Sequence, residues 1–355
     1  MDSTIGLAVT RAPEAETMTS YERVRRAIEF ACPDRVPLFF DRLGHSDIAG
    51  SGYRTLAPIS QQEAREKHLT EWVDEWGAIW NLNPGASHFV DIGYIARASL
   101  ADYSLLGKYP FPDPDDPRRY ENIESTLQRH TDKYIQSCWF TLFEQAWQIR
   151  GGMGNLFIDM YDNPHQLTEL LTIISQFAVR VITNLHDFAG RIHGIWIGDD
   201  WGTQSSTFVS IDQFRRFFKP HYKKIIDAAH RGGMHVWLHS DGKINDFIEE
   251  FIDIGLDVIN LEQPLLVGID DISARYQGRI AFCPIIDIQK TLITGSQAEI
   301  EAQAKELIQK WGTPQGGIIG YGYEPYEALG IDEERARFAL NAWRKYGSYD
   351  ASAAR

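Results

Sequence analysis

From about residue 160 onward, the chain alternates short apolar runs with longer segments in which apolar residues recur at helical spacing. Five runs have the length of buried strands, and they lie at 193–198, 235–239, 258–261, 280–283 and 317–320. Each run is followed by a loop and a helical pattern, which is the alternation typical of parallel βα units. The pattern therefore predicts the second half of an α/β barrel.

Several helices of this half have recognisable starts. Asn163-Pro164 predicts the start of a long helix with one apolar face up to residue 188, because Asn is a common N-cap and Pro fits the first turn. Ser296 with Glu299 has the spacing of a capping box. Asp332 is the expected cap of the last helix.

The first half is less regular. A first strand is expected at 35–40, with further strands near 78–80 and 134–136, and the Pro- and Asp-rich segment 97–120 is expected to leave the barrel. The fold class predicted is α/β, a single (β/α)8 TIM barrel of residues 19–350 with an N-terminal extension. Residues 1–18 are expected to form a disordered arm. A chain of 355 residues is an ordinary length for such a barrel.

Composition narrows the classes of function. A net charge of -14 without a basic stripe argues against a nucleic-acid partner, and no apolar run is long enough to cross a membrane. The beginning of the chain lacks the pattern of a secretory signal. Three cysteines lie far apart with no Cys-x-x-Cys pair, which favours a reducing, cytoplasmic location. The sequence leaves the assembly open, and a homodimer is compatible with it.

Polar residues follow each predicted strand of the second half. Because active sites of α/β barrels lie at the C-terminal ends of the strands, these residues are the candidates for chemistry. They are Asp199 and Asp200, then His239 and Asp241, then Glu262, then Asp287, and finally Tyr321, Tyr323 and Glu324. Each could instead be structural, for example as a helix cap or as an acceptor for loop amides. Together they predict several carboxylates at one barrel mouth, which would repel one another without a cation or a proton-transfer role.

One subset has the chemistry of a metal site. His239 and Asp241 are two residues apart, which places both side chains on the same side of an extended strand end. Glu324, expected after the eighth strand, would add a third ligand and leave a position open for water or substrate. We expect a divalent metal, with zinc first, although imidazole with two carboxylates also suits iron or manganese.

The stretch Gly198-Asp-Asp-Trp-Gly-Thr-Gln204, the helix at 214–231 and the stretch Val236-Trp-Leu-His-Ser-Asp-Gly242 resemble the uroporphyrinogen decarboxylase superfamily. The resemblance continues through 254–260, Asp287 and the glycines before the last helix, and so covers the whole barrel. It implies the barrel fold and either decarboxylase or methyltransferase chemistry. The decarboxylases carry an early Arg-rich segment, and here the corresponding stretch 39–45 retains only Arg42. Turnover of uroporphyrinogen is therefore expected to be weak or absent, because its carboxylates would meet an acidic mouth.

The methyltransferase branch of the superfamily is similar in the Gly-Asp-Asp stretch and in its metal motif, where zinc binds one His and two Cys. The positions of those cysteines are occupied here by Asp241 and, in a rough alignment, by Glu324. Carboxylates are harder ligands than thiolates, so the metal would bind an oxygen better than it would activate a thiol. This argues against coenzyme M as the acceptor.

These expectations combine into a leading hypothesis: a metal-dependent methyltransferase or demethylase that takes a methyl group from a small O-methylated substrate, aromatic compounds included. The methyl acceptor would be a corrinoid protein or tetrahydrofolate. The catalytic residues expected are Asp199, Tyr323 and Asp287, and the substrate-binding residues expected are Asp200, Trp201, Gln204, Glu262 and Arg42. The alternatives are a decarboxylase or lyase for a small acid that uses carboxylates without a metal, and a non-catalytic barrel that binds a ligand.

Overall fold

The computed structural model describes residues 18–82 and 93–349. The arm expected at 1–18 lies outside these residues except for Met18. No helix in the described ranges combines the length and the apolar character that a membrane span requires.

Twelve strands are formed by the described residues. They are β1 Leu38–Phe40, β2 His45–Ser46, β3 Ile48–Gly50, β4 Glu71–Val73, β5 Ile79–Asn81, β6 Tyr94–Arg97, β7 Tyr134–Phe140, β8 Gly194–Gly198, β9 His235–His239, β10 Val258–Asn260, β11 Ala281–Phe282 and β12 Gly320–Tyr321.

Eight of these strands, β1, β3 and β7 to β12, form the predicted parallel barrel. Parallel pairing runs without interruption from β3 through β7, β8, β9 and β10 to β11. A parallel bridge between Phe282 and Ile318 continues to the β12 segment, and β12 pairs with β1. His239 thus ends the fifth barrel strand, and Glu324 follows the eighth strand, where the sequence predicts it.

In the described ranges, fourteen α-helices surround or extend the barrel. They are α1 Ser20–Ile28, α2 Gln61–Glu66, α3 Ile123–Arg129, α4 Phe143–Ile149, α5 Met153–Asp162, α6 Pro164–Leu185, α7 Ile211–Gln213, α8 Lys219–Arg231, α9 Asn245–Asp253, α10 Pro264–Val267, α11 Ile269–Tyr276, α12 Thr291–Thr294, α13 Gln297–Trp311 and α14 Glu333–Tyr346. A π-helical turn at Phe214–Phe218 joins α7 to α8, and 3-10 turns lie at Tyr103–Lys108, Pro117–Arg119, His186–Phe188 and Tyr326–Leu329.

The predicted helix starts are found with one difference. Ser296 and Glu299 form both bonds of a capping box, and the Asp332 side chain accepts a bond from the Arg335 amide. Helix α6 begins at Pro164 as expected, but Asn163 does not cap it. The Asn163 side chain instead donates to Asp159, so the conformation of Pro164 and the packing of the apolar face of α6 account for the helix start.

The first half of the barrel differs from the expectation in two places. The strand near residue 79 exists, but β5 belongs to a separate antiparallel sheet with β4 and β6. The second barrel strand is β3, which follows the short β2 that runs antiparallel to β1. The excursion expected at 97–120 therefore begins earlier, directly after β3, and includes this small sheet.

The barrel interior and the outer helical layer have separate cores. The interior is filled by an aromatic and aliphatic cluster that includes Tyr134, Trp196, Trp237 and Ile319, and α1 closes the bottom with Val24 and Ala27. Outward-facing strand residues pack with the helices in a second, larger cluster. Since the interior is packed, a ligand has access to the chemistry only at the open mouth.

Candidate metal centre and substrate cavity

His239 lies at the end of β9, where its ring is oriented by the neighbouring strand. Asn260, the last residue of β10, donates from Nδ2 to the Cys283 carbonyl at 2.5 Å. The Asn260 side-chain oxygen therefore faces His239 and accepts a 2.6 Å hydrogen bond from its Nδ1. Such a partner on one ring nitrogen leaves the other, Nε2, available for a metal.

Asp200 and Asp241 are brought to His239 by two loops that touch. A Cβ added to Gly242, which has a φ of +81°, would come within 2.2 Å of the Gly202 backbone, so both positions require glycine for this approach. The loops are further joined by a 2.8 Å bond from the Asp241 amide to Asp200 Oδ1. As a result, Asp200 Oδ1 lies 3.4 Å from His239 Nε2.

These three side chains fit a divalent metal. Asp200, His239 and Asp241 each offer a ligand atom, and the three atoms lie within 4.8 Å of one another. Asp241 Oδ1 is buried and has no hydrogen-bond partner among the described residues, which is unfavourable for a carboxylate unless a cation is bound. One imidazole and two carboxylates form a donor set suited to zinc, iron or manganese.

The charges around His239 are strongly coupled. Burial opposes its protonation, but the hydrogen bond to Asp200 and the charges of Glu262, Asp200 and Asp241 outweigh burial and hold its pKa well above the usual value. Burial raises the pKa of Asp241 to about 6 and that of Glu262 to about 8. Glu262 Oε1 lies 3.7 Å from His239 Nδ1. The mouth therefore concentrates negative charge that a bound cation would relieve.

Glu324 is not part of this group. Its Oε1 accepts a 2.8 Å bond from the Arg42 amide, and the side chains whose charges act on it are Asp41, Arg42 and Glu327. Burial raises the pKa of Glu324 to about 7. The structure thus brings Asp200 next to His239 and Asp241 in place of the predicted Glu324. The exposed Arg42 pairs with Glu327 at the rim.

Two of the predicted catalytic acids organise loops. Asp199 is fully buried and accepts bonds from the Leu142 amide at 2.7 Å, the Glu144 amide at 2.8 Å and the Tyr222 hydroxyl at 2.6 Å. Asp287 is buried and accepts bonds from the amides of the loop that follows it and of Leu265. These contacts account for both residues without a substrate, and their catalytic role stays a prediction.

Tyr323 lies near the acidic group, as the sequence predicts. Burial, together with the charges of Glu262, Asp241 and Asp200, raises its pKa to about 12. Tyr323 therefore keeps its proton at neutral pH. Its hydroxyl is a donor in the same part of the mouth as Glu262.

Two predicted substrate contacts lie elsewhere. Trp201 is fully buried, stacks on Phe143 at 4.2 Å and donates from its indole to Tyr222. The sequence predicts that Trp201 forms a wall against the substrate. The structure corrects this prediction, because the fully buried Trp201 belongs to the outer core. Gln204 is exposed and accepts a 3.0 Å bond from Gln289.

A cavity of about 390 Å³ opens beside the acidic group, which is within the usual range for small-ligand sites. Its lining is aromatic and small-polar: Phe39, Gly50, Ser51, Gly52, Tyr53, Thr55, Gln136, Ser137, Cys138, Trp139, Trp196 and Tyr321. Trp139 connects the cavity to the metal group, since its ring lies 5.8 Å from the His239 ring and its side chain is 55% exposed.

Trp139 faces the barrel interior because of a β-bulge in β7. The pairing of β7 with β8 shifts between Ser137 and Trp139, and Cys138 has a φ of +61°. The extra residue keeps Trp139 opposite Trp196, on which it stacks at 5.6 Å. A Cβ on Gly198 would come within 2.0 Å of the Trp139 ring. The absence of a side chain at Gly198 therefore leaves the space that the Trp139 ring occupies at the edge of the cavity.

Sequence reasoning missed Asn260, Glu144 and Trp139. Asn260 could have been found, since it is a polar residue at the end of an apolar run at 258–261. The Glu144 side chain, which accepts a 3.4 Å bond from the Asp200 amide and whose pKa burial raises to about 8, lies at a helix start that has no sequence motif. The orientation of Trp139 depends on the bulge, for which the sequence gives no clear signal.

A protein family and a solved methyltransferase structure share this architecture. The family model described as Uroporphyrinogen decarboxylase (URO-D) matches residues 138–346. A methyltransferase from Methanosarcina mazei is similar in structure, with a TM-score of 0.65 and 15% identity over 93% of this chain and 99% of that chain. An endo-beta-1,4-xylanase from Gloeophyllum trabeum has a TM-score of 0.42 and 8% identity over 66% of this chain and 83% of its own. No curated protein sequence matches significantly. The family match spans more than half of the chain, and the protein belongs to the uroporphyrinogen decarboxylase family.

Proposed function

We propose that this protein is a metal-dependent methyltransferase or demethylase. It removes a methyl group from a small O-methylated aromatic substrate and transfers it to a corrinoid protein or to tetrahydrofolate. The observation that supports this proposal best is the buried, unpartnered Asp241 Oδ1 beside His239 and Asp200, next to an aromatic cavity.

Asp200, His239 and Asp241 would hold the metal. Because two of these ligands are carboxylates, we propose that the metal binds a substrate oxygen and not a thiol. When bound there, a divalent metal supplies Lewis acidity that stabilises negative charge developing on an ether oxygen. Asn260 holds the His239 ring in one orientation through the 2.6 Å bond. The Asp241 amide holds Asp200 in place.

The substrate ring would lie in the cavity against Trp139. This indole stacks on Trp196, which in turn stacks on Trp237 at 5.6 Å, so the wall rests on the packed interior of the barrel. Rigid aromatic walls favour flat apolar ligands. The half-exposed face of Trp139 leaves the methyl group accessible to an acceptor from the mouth.

Methyl transfer breaks the bond between oxygen and the methyl carbon while the acceptor forms a new bond to that carbon. The electron pair of the broken bond stays on the substrate oxygen, which then takes up a proton. The Tyr323 hydroxyl, which keeps its proton at neutral pH, could supply this proton, and so could the Glu262 carboxyl in its protonated form, which burial favours and the charge of His239 opposes.

The test begins with metal analysis of protein purified without chelator, followed by incubation with a methoxylated arene and either reduced cobalamin or tetrahydrofolate. The expected result is about one metal per chain and equal amounts of phenol and methylated acceptor. Absence of metal together with release of carbon dioxide from small aryl acids would instead establish the lyase alternative.

A further inference from the structure

Gly50 is a glycine of the cavity lining that the local structure does not require. It is the last residue of the barrel strand β3, where glycine is unfavourable because it loses more conformational freedom than other residues. Its φ lies outside the left-handed region. A Cβ added to it would meet no atom of the described residues within 4 Å. Neither backbone conformation nor packing in the described ranges therefore explains this glycine.

Two other glycines near the cavity are explained by their surroundings. Gly52 has a φ of +83°, and a Cβ added to it would come within 2.6 Å of Thr126. The space beside Gly198 is occupied by the Trp139 ring. The space beside Gly50 is open instead, and a glycine inside a strand can mark the point where a ligand approaches the backbone.

A side chain at position 50 would point toward the barrel interior. Side chains alternate between the two faces of a strand, and in β3 Ile48 belongs to the interior cluster whereas Ala49 packs against the outer one. Gly50 thus lies on the same face as Ile48. It pairs with Gln136, which also lines the cavity. The open space beside Gly50 is therefore part of the cavity, and a larger residue there would fill it.

The cavity is larger than one aromatic ring requires. A cavity of roughly 150 Å³ holds one benzene ring, whereas this cavity has about 390 Å³. Its lining does not include Asp200, His239 or Asp241, which adjoin it across Trp139. A substrate that reaches the metal group and also fills the cavity must therefore extend beyond its first ring.

Charges of both signs lie close to this space. The Arg119 guanidinium donates to the Tyr53 hydroxyl of the lining at 3.4 Å and pairs with Glu75. The acidic group around His239 adjoins the cavity on the side of Trp139. The lining thus determines the size of the ligand and leaves its charge open.

We propose that Gly50 is a specificity-determining residue and that the aromatic substrate carries a second ring or a group of similar size. This second group occupies the space beside Gly50, while the methoxy group lies at the metal group. The position of the methoxy group rests on the proposed function. The position of the second group does not, because it concerns binding alone.

Binding is measured by calorimetry on the purified protein with its metal retained and without a methyl acceptor, so that no turnover occurs. The one-ring probes are methoxybenzene, 4-methoxybenzoate and 4-methoxybenzylamine, which are neutral, anionic and cationic. Each is compared with its naphthalene and biphenyl counterparts. The variants are Gly50→Ala and Gly50→Leu. The matched control is Gly107→Leu, because a Cβ on the exposed Gly107 also meets open space but Gly107 does not line the cavity.

In the wild type, at least one two-ring probe should bind about 10-fold more tightly than the one-ring probe of the same charge, because the second ring buries more apolar surface. Gly50→Leu should abolish this preference and leave the affinity for the one-ring probe nearly unchanged, since its side chain fills only the space of the second ring. Gly50→Ala should have a smaller effect, and Gly107→Leu should have none. The thermal midpoint of Gly50→Leu should not fall, because the added Cβ meets no described atom.

The inference is overturned if no two-ring probe binds more tightly than its one-ring counterpart, or if the preference persists in Gly50→Leu. It is also overturned if Gly50→Leu weakens one-ring and two-ring probes equally, or if Gly107→Leu loses the preference as well. A preference that depends on Gly50 without any methyl transfer would contradict the proposed function alone. Methyl transfer without the preference would contradict this inference alone.

Discussion

His239 and Asn260 form a 2.6 Å hydrogen bond in which the imidazole Nδ1 is the donor, since the Asn260 nitrogen is committed to the Cys283 carbonyl. This places Nε2 toward Asp200 and Asp241, so the deprotonated imidazole, which is the form that binds a metal, would direct its lone pair there. The ring is thus prepared for a metal by a residue that would not itself touch it.

Asn260→Leu should lower metal affinity about 10- to 100-fold, because the imidazole loses the partner that fixes its tautomer and orientation. Asn260→Asp retains an acceptor and should keep most of the affinity. The measurement is competitive zinc titration of both variants. Equal affinity of the Leu variant and the wild type would show that Asn260 does not orient His239.

Asp241→Ala should lose metal and activity together, since it removes a ligand and a negative charge. Asp241→Cys should retain zinc but lose activity toward an oxygen-bound substrate, because a thiolate lowers the Lewis acidity of the metal. Metal content and demethylation are measured on the same preparations. Unchanged metal content in the Ala variant would exclude Asp241 as a ligand.

Asp200→Asn and Glu324→Gln should differ in metal content. Asp200 lies 3.4 Å from the His239 ring, whereas Glu324 is held by the Arg42 amide outside the group. We therefore expect the Asp200 variant to lose most of its metal and the Glu324 variant to retain it. The opposite pattern would restore the ligand set expected from the sequence.

Gly198→Ala should lower binding of aromatic ligands at least about 10-fold with little loss of stability. Its Cβ would overlap the Trp139 ring, and the half-exposed indole can move only by leaving the cavity wall. Gly154→Ala in α5 is the control, since nothing lies within 4 Å of its added Cβ. Ligand titration and thermal unfolding of both variants check this, and unchanged ligand affinity in Gly198→Ala would contradict the assigned wall.

His221 should make the protein less stable in acid. It is buried between α8 and α6, bonds to Ser175 at 2.9 Å, and burial lowers its pKa to about 4. Between about pH 6.5 and 4 the unfolded state binds more protons than the native state, so the free energy of unfolding should decrease by up to ~3 kcal/mol as the pH falls.

The measurement is urea unfolding between pH 4 and 8. His221→Gln should reduce this slope. His230 on the same helix provides a control of opposite sign, since its bond with Asp257 raises its pKa. Its contribution is present below its unfolded pKa and is lost as the pH rises through the folded value. An unchanged slope in His221→Gln would count against its buried, neutral state.

The second half of the barrel could be predicted because each strand there is a compact apolar run between clear helices. The strand β3 could not, since it has three residues and follows a reversal after β2 that has no periodic pattern. The strand near residue 79 was found, but pattern alone does not distinguish a barrel strand from one in a separate antiparallel sheet.

The site could be predicted in part for a similar reason. Strand-end position predicted His239 and Asp241 as partners and Asp200 at the same barrel mouth, and the three side chains lie together in the structure. It did not show that Asp200 would replace Glu324 beside them, because this depends on the contact of Gly202 with Gly242. Nor does position at a strand end distinguish Trp201, which faces the outer core, from Trp139, which faces the cavity.

Because of the bulge at Cys138, the number of residues that precede Trp139 in β7 decides whether its side chain faces the barrel interior or the outside. A straight strand with the same residues would turn Cys138 inward and Trp139 outward, whereas removing Cys138 would leave Trp139 inward in a regular strand. In an alignment, a relative with a straight third strand should therefore show a one-residue gap inside the strand. An alignment with that gap would superimpose the two cavity walls correctly. Without the gap, the Cys138 thiol would be aligned with the inward-facing indole of the relative.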